Sequence, residues 1–446
     1  MSGTIKLRRS ATPGKVPTTA QLTLGEVAIN THDGIMFFKK DDTASGGGES
    51  IVEVGRPDTA ANVWYVKEDG DDTLDGDTIS DAFATLDQAM TVVSSGDTVF
   101  LKSGDHTVTN PLEIPAGVSI IGDNLRTTTI RGSSATDDIL HLNNACYVQG
   151  VTFRGHTSGA AAVAFPTAGA GTIVTSPYIQ NCSSITSDGV GMKIDGSLAS
   201  GLRSMVSDAF TQINLGGTGV HILNRGYAQL VSIFTVACQT GILCESGGQC
   251  SLTNSNCSFG TYGLKATGKS ASLYSGTTST NTIETSSTVT ITGLTQRPRY
   301  GDAIKLSGDS RYYTVEAATA LYGASTDTSD VTILETWQTG TTSGASVDFY
   351  ERSLIQASSI TFEYVGSGNN FSTALPENGG FPIQANEVIE DSDGQGQVFF
   401  TSTDQKGDFR IGGDLLINAS AGIIEGTTFD RSLFAVLTPY ILAIEG

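Results

Sequence analysis

The chain has 446 residues, more than one compact core ordinarily holds, so it needs either several domains or an elongated core built by repetition. Its 53 glycines against 11 prolines, with abundant Ser and Thr and few runs of Ala, Leu, Glu and Lys, favour strands joined by tight turns. A formal net charge of −21 argues against a nucleic-acid surface, which needs clustered cations, and no apolar run approaches the roughly 18 residues of a membrane-spanning helix. The N-terminus lacks the apolar stretch of a signal peptide, which predicts a chain not secreted by the usual route.

In chain order, the first forty residues hold Lys6, Arg8, Arg9, Lys15, Lys39 and Lys40 against Glu26 and Asp33. The turn "THDG" between "GEVAIN" and "IMFFKK" predicts a hairpin. Residues 1–56 read as an arm ending in a glycine-rich linker at residues 45–50. Trp64 then opens a body spanning residues 57–270. Its acidic loop "DGDDTLDGD" leads into a short helix expected over residues 82–93 and capped by Ser80 or Asp81.

Further on, "GVHILNRG", "GILCESGG" and "GLKATG" begin at Gly219, Gly241 and Gly263, each 22 residues after the last. They align Val220, Ile242 and Leu264, then Gly226 with Gly248 and Leu230 with Leu252. A unit this short cannot bury its own apolar face, so copies must stack. Short alternating runs such as "AQLVSIF", with the glycines read as corners, predict coils of a parallel β-helix whose aligned apolar residues form single inward columns. The six cysteines, 146, 182, 238, 244, 250 and 257, have no zinc-type spacing and read as buried thiols in those columns.

After Gly268 the register fails. Residues 271–350 predict an inserted antiparallel barrel or sandwich built from "TVTITGL", "DAIKLSG", "YYTVEAA", "VTILETW" and "SVDFYE". Trp337 belongs in its core, with a sugar-stacking surface as the alternative. Residues 351–446 return to coil-like text and end in an unusually apolar segment containing Phe429, Leu433, Phe434, Val436, Leu437, Tyr440, Ile441, Leu442 and Ile444. That segment predicts burial against partner chains.

Two resemblances add to this reading. The stretch "WYVKEDGDDTLDGDTISDAFATLDQAMTVVSSGDTVFLKSGDHTV" resembles the opening of pectate-lyase-like right-handed β-helix proteins, in which the helix caps the open end of the solenoid. The N-terminal "IKLRRSATPGKVPTTAQLTLGEVAINTHDGIMFFKKDD" is similar to the attachment module of phage tail fibres and spikes. Near the other end, "SLIQASSITFEYVGSG", "FTSTDQKGDFRIGGDLLIN" and "TTFDRSLFAVLTPYILAIEG" resemble fibre-like proteins of contractile-tailed cyanobacterial and marine (T4-like) phages. The fold expected is thus all-β: a right-handed parallel β-helix with an N-terminal hairpin module, an inserted antiparallel domain and a β-rich C-terminal module. The likeness implies a homotrimer in the virion, assembled in the host cytoplasm, whose partners are other tail or baseplate proteins and a host surface polysaccharide or receptor.

For chemistry, Asp188, Asp195, Asp208 and Glu245 are the carboxylates that adjacent coils could bring to one groove, as glycoside hydrolysis requires. Each also fits a turn or solvent-facing position. Asp71, Thr73, Asp75, Gly76 and Asp77 imitate the start of a calcium loop, but Ala82 occupies the place of its bidentate glutamate. His32, His106, His141, His156 and His221 are scattered, and no residue is assigned as catalytic, cofactor-binding or metal-ligating. The expectation is therefore a non-enzymatic tail fibre, spike or baseplate component that adheres to a host. Its alternatives are a polysaccharide-depolymerising tailspike and an internal baseplate connector.

Overall fold

The computed structural model describes residues 8–363 except 33, 42, 44–47, 55–61, 283, 310 and 335, together with Gln384–Ala385, Gln397–Phe400, Asn418–Ala419 and Gly422–Ile423. The C-terminal apolar segment lies outside these residues. Two units divide at Ala60 and Ala61. In the first, Val27–Asn30 and Ile35–Asp41 form the expected hairpin, with Val27 opposite Phe38. Glu49–Val54 pairs antiparallel with Ile35–Asp41, so Glu49 and Ser50 belong to a sheet and not to a linker. The alternation in "ESIVEV" extends that sheet. Arg8 meets Glu26 at 2.7 Å and Lys39 meets Glu49 at 2.6 Å, which neutralises part of the basic character within the unit.

The second unit is a parallel β-helix. Its first face runs through Val63–Val66, Thr98–Leu101, Ser119–Gly122 and Tyr147–Gln149 into Tyr178–Ser187, Ser204–Leu215, Tyr227–Val231 and Gln249–Ser258. Its third face stacks Leu112–Ile114, Leu140–Leu142, Ala161–Ala164, Val190–Asp195, Thr218–Leu223, Thr240–Glu245 and Tyr262–Thr267. A second face bends off the first at one left-handed residue per coil: Asn181, Ala209, Ser232 and Asn254, with φ between 48° and 54°. Side chains therefore stack in register across coils. One inward column on the third face is Leu112, Leu140, Val163, Met192, Val220, Ile242 and Leu264, and every member is at most 9% exposed. The column predicted from the 22-residue repeat is real.

The repeat glycines play a different part from the one expected. Gly219, Gly241 and Gly263 lie inside third-face strands, not at corners. A Cβ on Gly219 would sit 2.5 Å from the carbonyl oxygen of Gly241, and one on Gly241 would sit 2.6 Å from that of Gly263. Thr235, on the second face, stands 2.7 Å from both added positions. The glycines thus permit a close approach to the backbone of the adjacent third-face strand and to the Thr235 side chain facing them from the second face. Gly226 and Gly248 do stand at corners, between the third and first faces.

The helix is shorter than expected, Leu86–Val92, and its cap is Thr85, whose hydroxyl accepts from the Gln88 amide at 3.1 Å. Residues before it are extended because Phe83 bridges Val66 and stacks on Trp64, ring centroids 6.1 Å apart. Gly76 is required there, since a Cβ would fall 2.2 Å from the Phe83 ring. Asp72 holds the acidic loop by accepting from the amides of Ala84 and Thr85 at 2.8 and 2.9 Å. Asp71 accepts from the Thr73 amide and hydroxyl, closing a local turn of the calcium-like sequence.

All six cysteines are buried and unpaired. Burial pushes the thiol of Cys146 up to about 11 and those of Cys182 and Cys257 up to about 12. Since the thiolate is the reactive form, iodoacetamide at pH 8 should leave all six thiols unmodified in the native protein and alkylate all six in guanidinium. Mass spectrometry reads the difference directly, and modification of any thiol in the native chain would contradict this packing.

The inserted domain is a closed six-stranded antiparallel barrel: Tyr274–Thr278, Thr288–Thr292, Ser329–Ile333, Tyr313–Ala318, Ala303–Leu306 and Ser346–Tyr350 in spatial order. The strand Tyr274–Thr278 was not foreseen, because "YSGTT" carries little apolar alternation. Its aromatic anchor is Tyr274, stacked on Phe349 with centroids 4.6 Å apart. Trp337 is fully buried, edge-on to Tyr313, so it is core and not a sugar platform. Where the chain leaves and rejoins the coils, Lys269 bridges Arg352, and the Ser270 amide donates to the Glu351 carbonyl at 2.8 Å. Coil register then resumes: Gln249 to Thr253 and Ser255 to Ser258 face Leu354 to Ser358 and Ile360 to Glu363.

Candidate functional site

The four candidate carboxylates are not gathered. Asp188 is a corner residue with φ 55°, and its carbonyl accepts from the Gly159 amide. Asp208 lies on the first face, 3.5 Å from the Gln180 amide nitrogen. Asp195 and Glu245 both end third-face strands, with one strand between them. At the usual strand spacing they stand on the order of 10 Å apart. That separation would suit an inverting hydrolase, but one member of such a pair must hold a proton near neutrality. Neither does. Burial raises Asp195, but hydrogen bonds from Ser197 and Asn224 outweigh it and leave the carboxyl low; the hydrogen bond from His221, 2.9 Å away, lowers Glu245.

The side chains that do converge lie at the corner between the third and first faces, and the coil lengths explain why. Measured along the first face, the coils shorten from 31 residues (Tyr147 to Tyr178) through 28 (Tyr178 to Val206) and 23 (Val206 to Gln229) to 22 (Gln229 to Ser251). The longer coils carry an additional strand pair at this corner, Gly171–Ile173 with Ala199–Gly201. The short coils turn there in three residues, Asn224 to Gly226 and Ser246 to Gly248. The next coil sends out the barrel. The 22-residue coils therefore form the floor of a notch, walled on one side by the strand pair and on the other by the barrel.

This notch is a groove of about 300 Å³ whose polar walls include Arg203, Arg225, Tyr227, Gln249, Arg299 and Glu351. Arg203 and Arg225 occupy successive corners in left-handed conformations, φ 49° and 65°. Arg225 forks onto Glu351, Nε to Oε2 at 2.7 Å and a terminal nitrogen to Oε1 at 3.1 Å, joining residues 126 apart in sequence. That hydrogen bonding raises Arg225 further above its ordinary value. Arg299 approaches the same carboxylate from the barrel at 3.9 Å with 72% of its side chain exposed. Behind it, Asp302 accepts from the Tyr274 hydroxyl and the Arg299 amide. Burial outweighs these bonds, so its carboxyl is raised above the ordinary carboxylate value.

Glu351 fastens the barrel to the coils, so Glu351→Gln should loosen the joint. The fork loses its charge, worth about 1 kcal/mol at this largely but not fully buried position. Hydrogen exchange at the Ser270 and Ser353 amides should quicken roughly fivefold. Unchanged exchange would show that backbone pairing alone holds the joint.

Sequence reasoning missed this groove entirely. Glu351 and Arg299 meet Arg225 only because an eighty-residue excursion returns to the neighbouring coil, and no local spacing records that. A signal was nonetheless present: Arg203 and Arg225 stand 22 residues apart, within one residue of the 23-residue coil that joins them, in a strongly acidic chain.

No family model matches the chain, and no curated protein matches it. Solved structures of similar fold include a rhamnogalacturonan lyase, 11% identical, covering 46% of this chain and 71% of that one at a TM-score of 0.25. Another is the ORF18 protein of Geobacillus virus E2, 12% identical, covering 76% and 92% at 0.24. A third is tailspike protein gp49 of Acinetobacter baumannii bacteriophage Fri1, a capsular polysaccharide depolymerase, 9% identical, covering 78% and 98% at 0.18. At these values the likeness is one of general fold. It still corrects one expectation: the chain shares its architecture with proteins named as enzymes, and the non-enzymatic reading no longer stands.

Proposed function

We propose that this chain is a structural protein of a phage tail, a spike or fibre whose β-helix is a stiff shaft and whose notch and barrel engage a host surface polysaccharide. The observation that carries the reading is the unbroken inward stacking across the coils, maintained even where the barrel interrupts the chain. Such a body transmits force and positions a side-mounted module, and repeated copies would add avidity. The N-terminal unit serves as the virion attachment module, in keeping with its resemblance to tail-fibre N-termini. Three chains assemble around one axis, with the C-terminal module burying its apolar segment between them, and other tail proteins hold the arm.

A second reading is favoured by Asp302, a carboxyl that burial raises above its ordinary value beside the groove: a tailspike that also cleaves the polysaccharide it binds, with Asp302 as the candidate acid. Antibodies against residues 271–350, applied to purified tailed-phage particles carrying the gene, test the main reading. Label at free tips is expected. Label absent from intact particles would overturn it. Release of oligosaccharides from host envelope polysaccharide, lost in Asp302→Asn, would establish the second.

A further inference from the structure

We infer that the notch over the 22-residue coils is a binding site for a carboxylate-bearing sugar of an acidic polysaccharide. The inference rests on the tail-protein reading for its setting but on the groove's own charge for its chemistry. Three guanidinium groups face one lining carboxylate. Arg225 is satisfied by its fork onto Glu351, and Arg299 stands at the edge of ion-pair distance. Arg203 has no ion pair or side-chain hydrogen bond to another described residue. Asp302, set behind Arg299 and 6% exposed, adds a second acid, yet the cations still outnumber the acids.

In a chain of net charge −21, whose acidic body repels densely charged polyanions, that excess suits a ligand with one negative group per repeat. Planar guanidinium donors match the two oxygens of a carboxylate. The rest of the groove fits a sugar. Its lining is mainly polar, which suits sugar hydroxyls, and Tyr227 within that lining is 39% exposed. Gln249 donates its amide to the Arg352 carbonyl at 3.1 Å, leaving its own carbonyl oxygen to accept from a hydroxyl. A volume of about 300 Å³ lies at the small end of ligand sites, which limits the occupant to one or two sugar residues of a longer chain.

The test uses the full chain and a hyaluronate tetrasaccharide, with its carboxyl-reduced form as the neutral control and dextran sulfate as the sulfated one, in calorimetric titrations. The tetrasaccharide should bind, the reduced form should bind at least tenfold more weakly, and Arg203→Gln and Tyr227→Ala should each cost roughly tenfold while unfolding as the wild type does. Equal binding of the acidic and reduced forms, preference for dextran sulfate, or an unaffected Arg203→Gln would overturn the inference. Adhesion to host cells, measured on the same proteins, separates the two levels. A chain that adheres equally with and without Arg203 sinks the inference and leaves the tail reading intact. A chain that binds the tetrasaccharide without adhering does the reverse.

Discussion

Ile242→Ala should destabilise the protein by about 2–5 kcal/mol, seen as a lower guanidinium unfolding midpoint. Ile242 is 1% exposed and packed between Val220 of the preceding coil and Leu264 of the next. Truncation removes its buried methyl groups and leaves a cavity that hydrogen-bonded strands on both sides cannot close. The neighbouring Leu243 points outward from the same strand, and Leu243→Ser should cost less than about 1 kcal/mol. Similar losses at both positions would mean the column does not carry the stability of the body.

The second large effect is on pH dependence. His156 is 1% exposed, its Nε2 lies 3.3 Å from the Ser184 hydroxyl, and its Nδ1 has no hydrogen-bond partner among the described residues. Burial holds the ring's pKa down to about 4 against the pull of the Val190 backbone and the Asp138 charge. The folded chain therefore keeps this ring neutral at pH values where the unfolded chain protonates it. Stability is fully present above about 6.5 and falls as the pH drops toward 4, by about 3 kcal/mol in all. The lowered carboxyls, such as Asp138 and Asp195, do not mask this. Their contribution persists down to the ordinary carboxyl range and is lost only below it. Unfolding midpoints between pH 7 and 4.5 should slope downward in the wild type and stay nearly level in His156→Gln; equal slopes would assign the effect elsewhere.

How far the sequence reached depends on the range of the interactions. The stacking of Val220, Ile242 and Leu264 was legible because three successive coils share one length. Where coils were longer, their strands were visible as strands but not their register, so the additional pair at Gly171–Ile173 and Ala199–Gly201 went unseen. The helix boundary was misplaced because Phe83 is taken by Trp64 and Val66, a contact that overrides the cap preference of Ser80 and Asp81. Of the repeat glycines, Gly226 and Gly248 are corners as read, whereas Gly219, Gly241 and Gly263 are not, since periodicity marks a constraint without saying whether it is a bend or a close approach. The groove was the least accessible feature: its residues come from two coil corners and a barrel, and its floor exists because two coils lack what their predecessors have.

The bridge between Lys269 and Arg352 has a last consequence. Paired antiparallel residues leave their Cα atoms about 5 Å apart, so the rod registers the excursion as little more than one ordinary bend. Any other fold whose two ends meet at that spacing could be grafted in its place while the rod below stayed unaltered. On the tail-protein reading proposed above, such an exchange would keep Arg203 and Arg225 and replace only the wall opposite them.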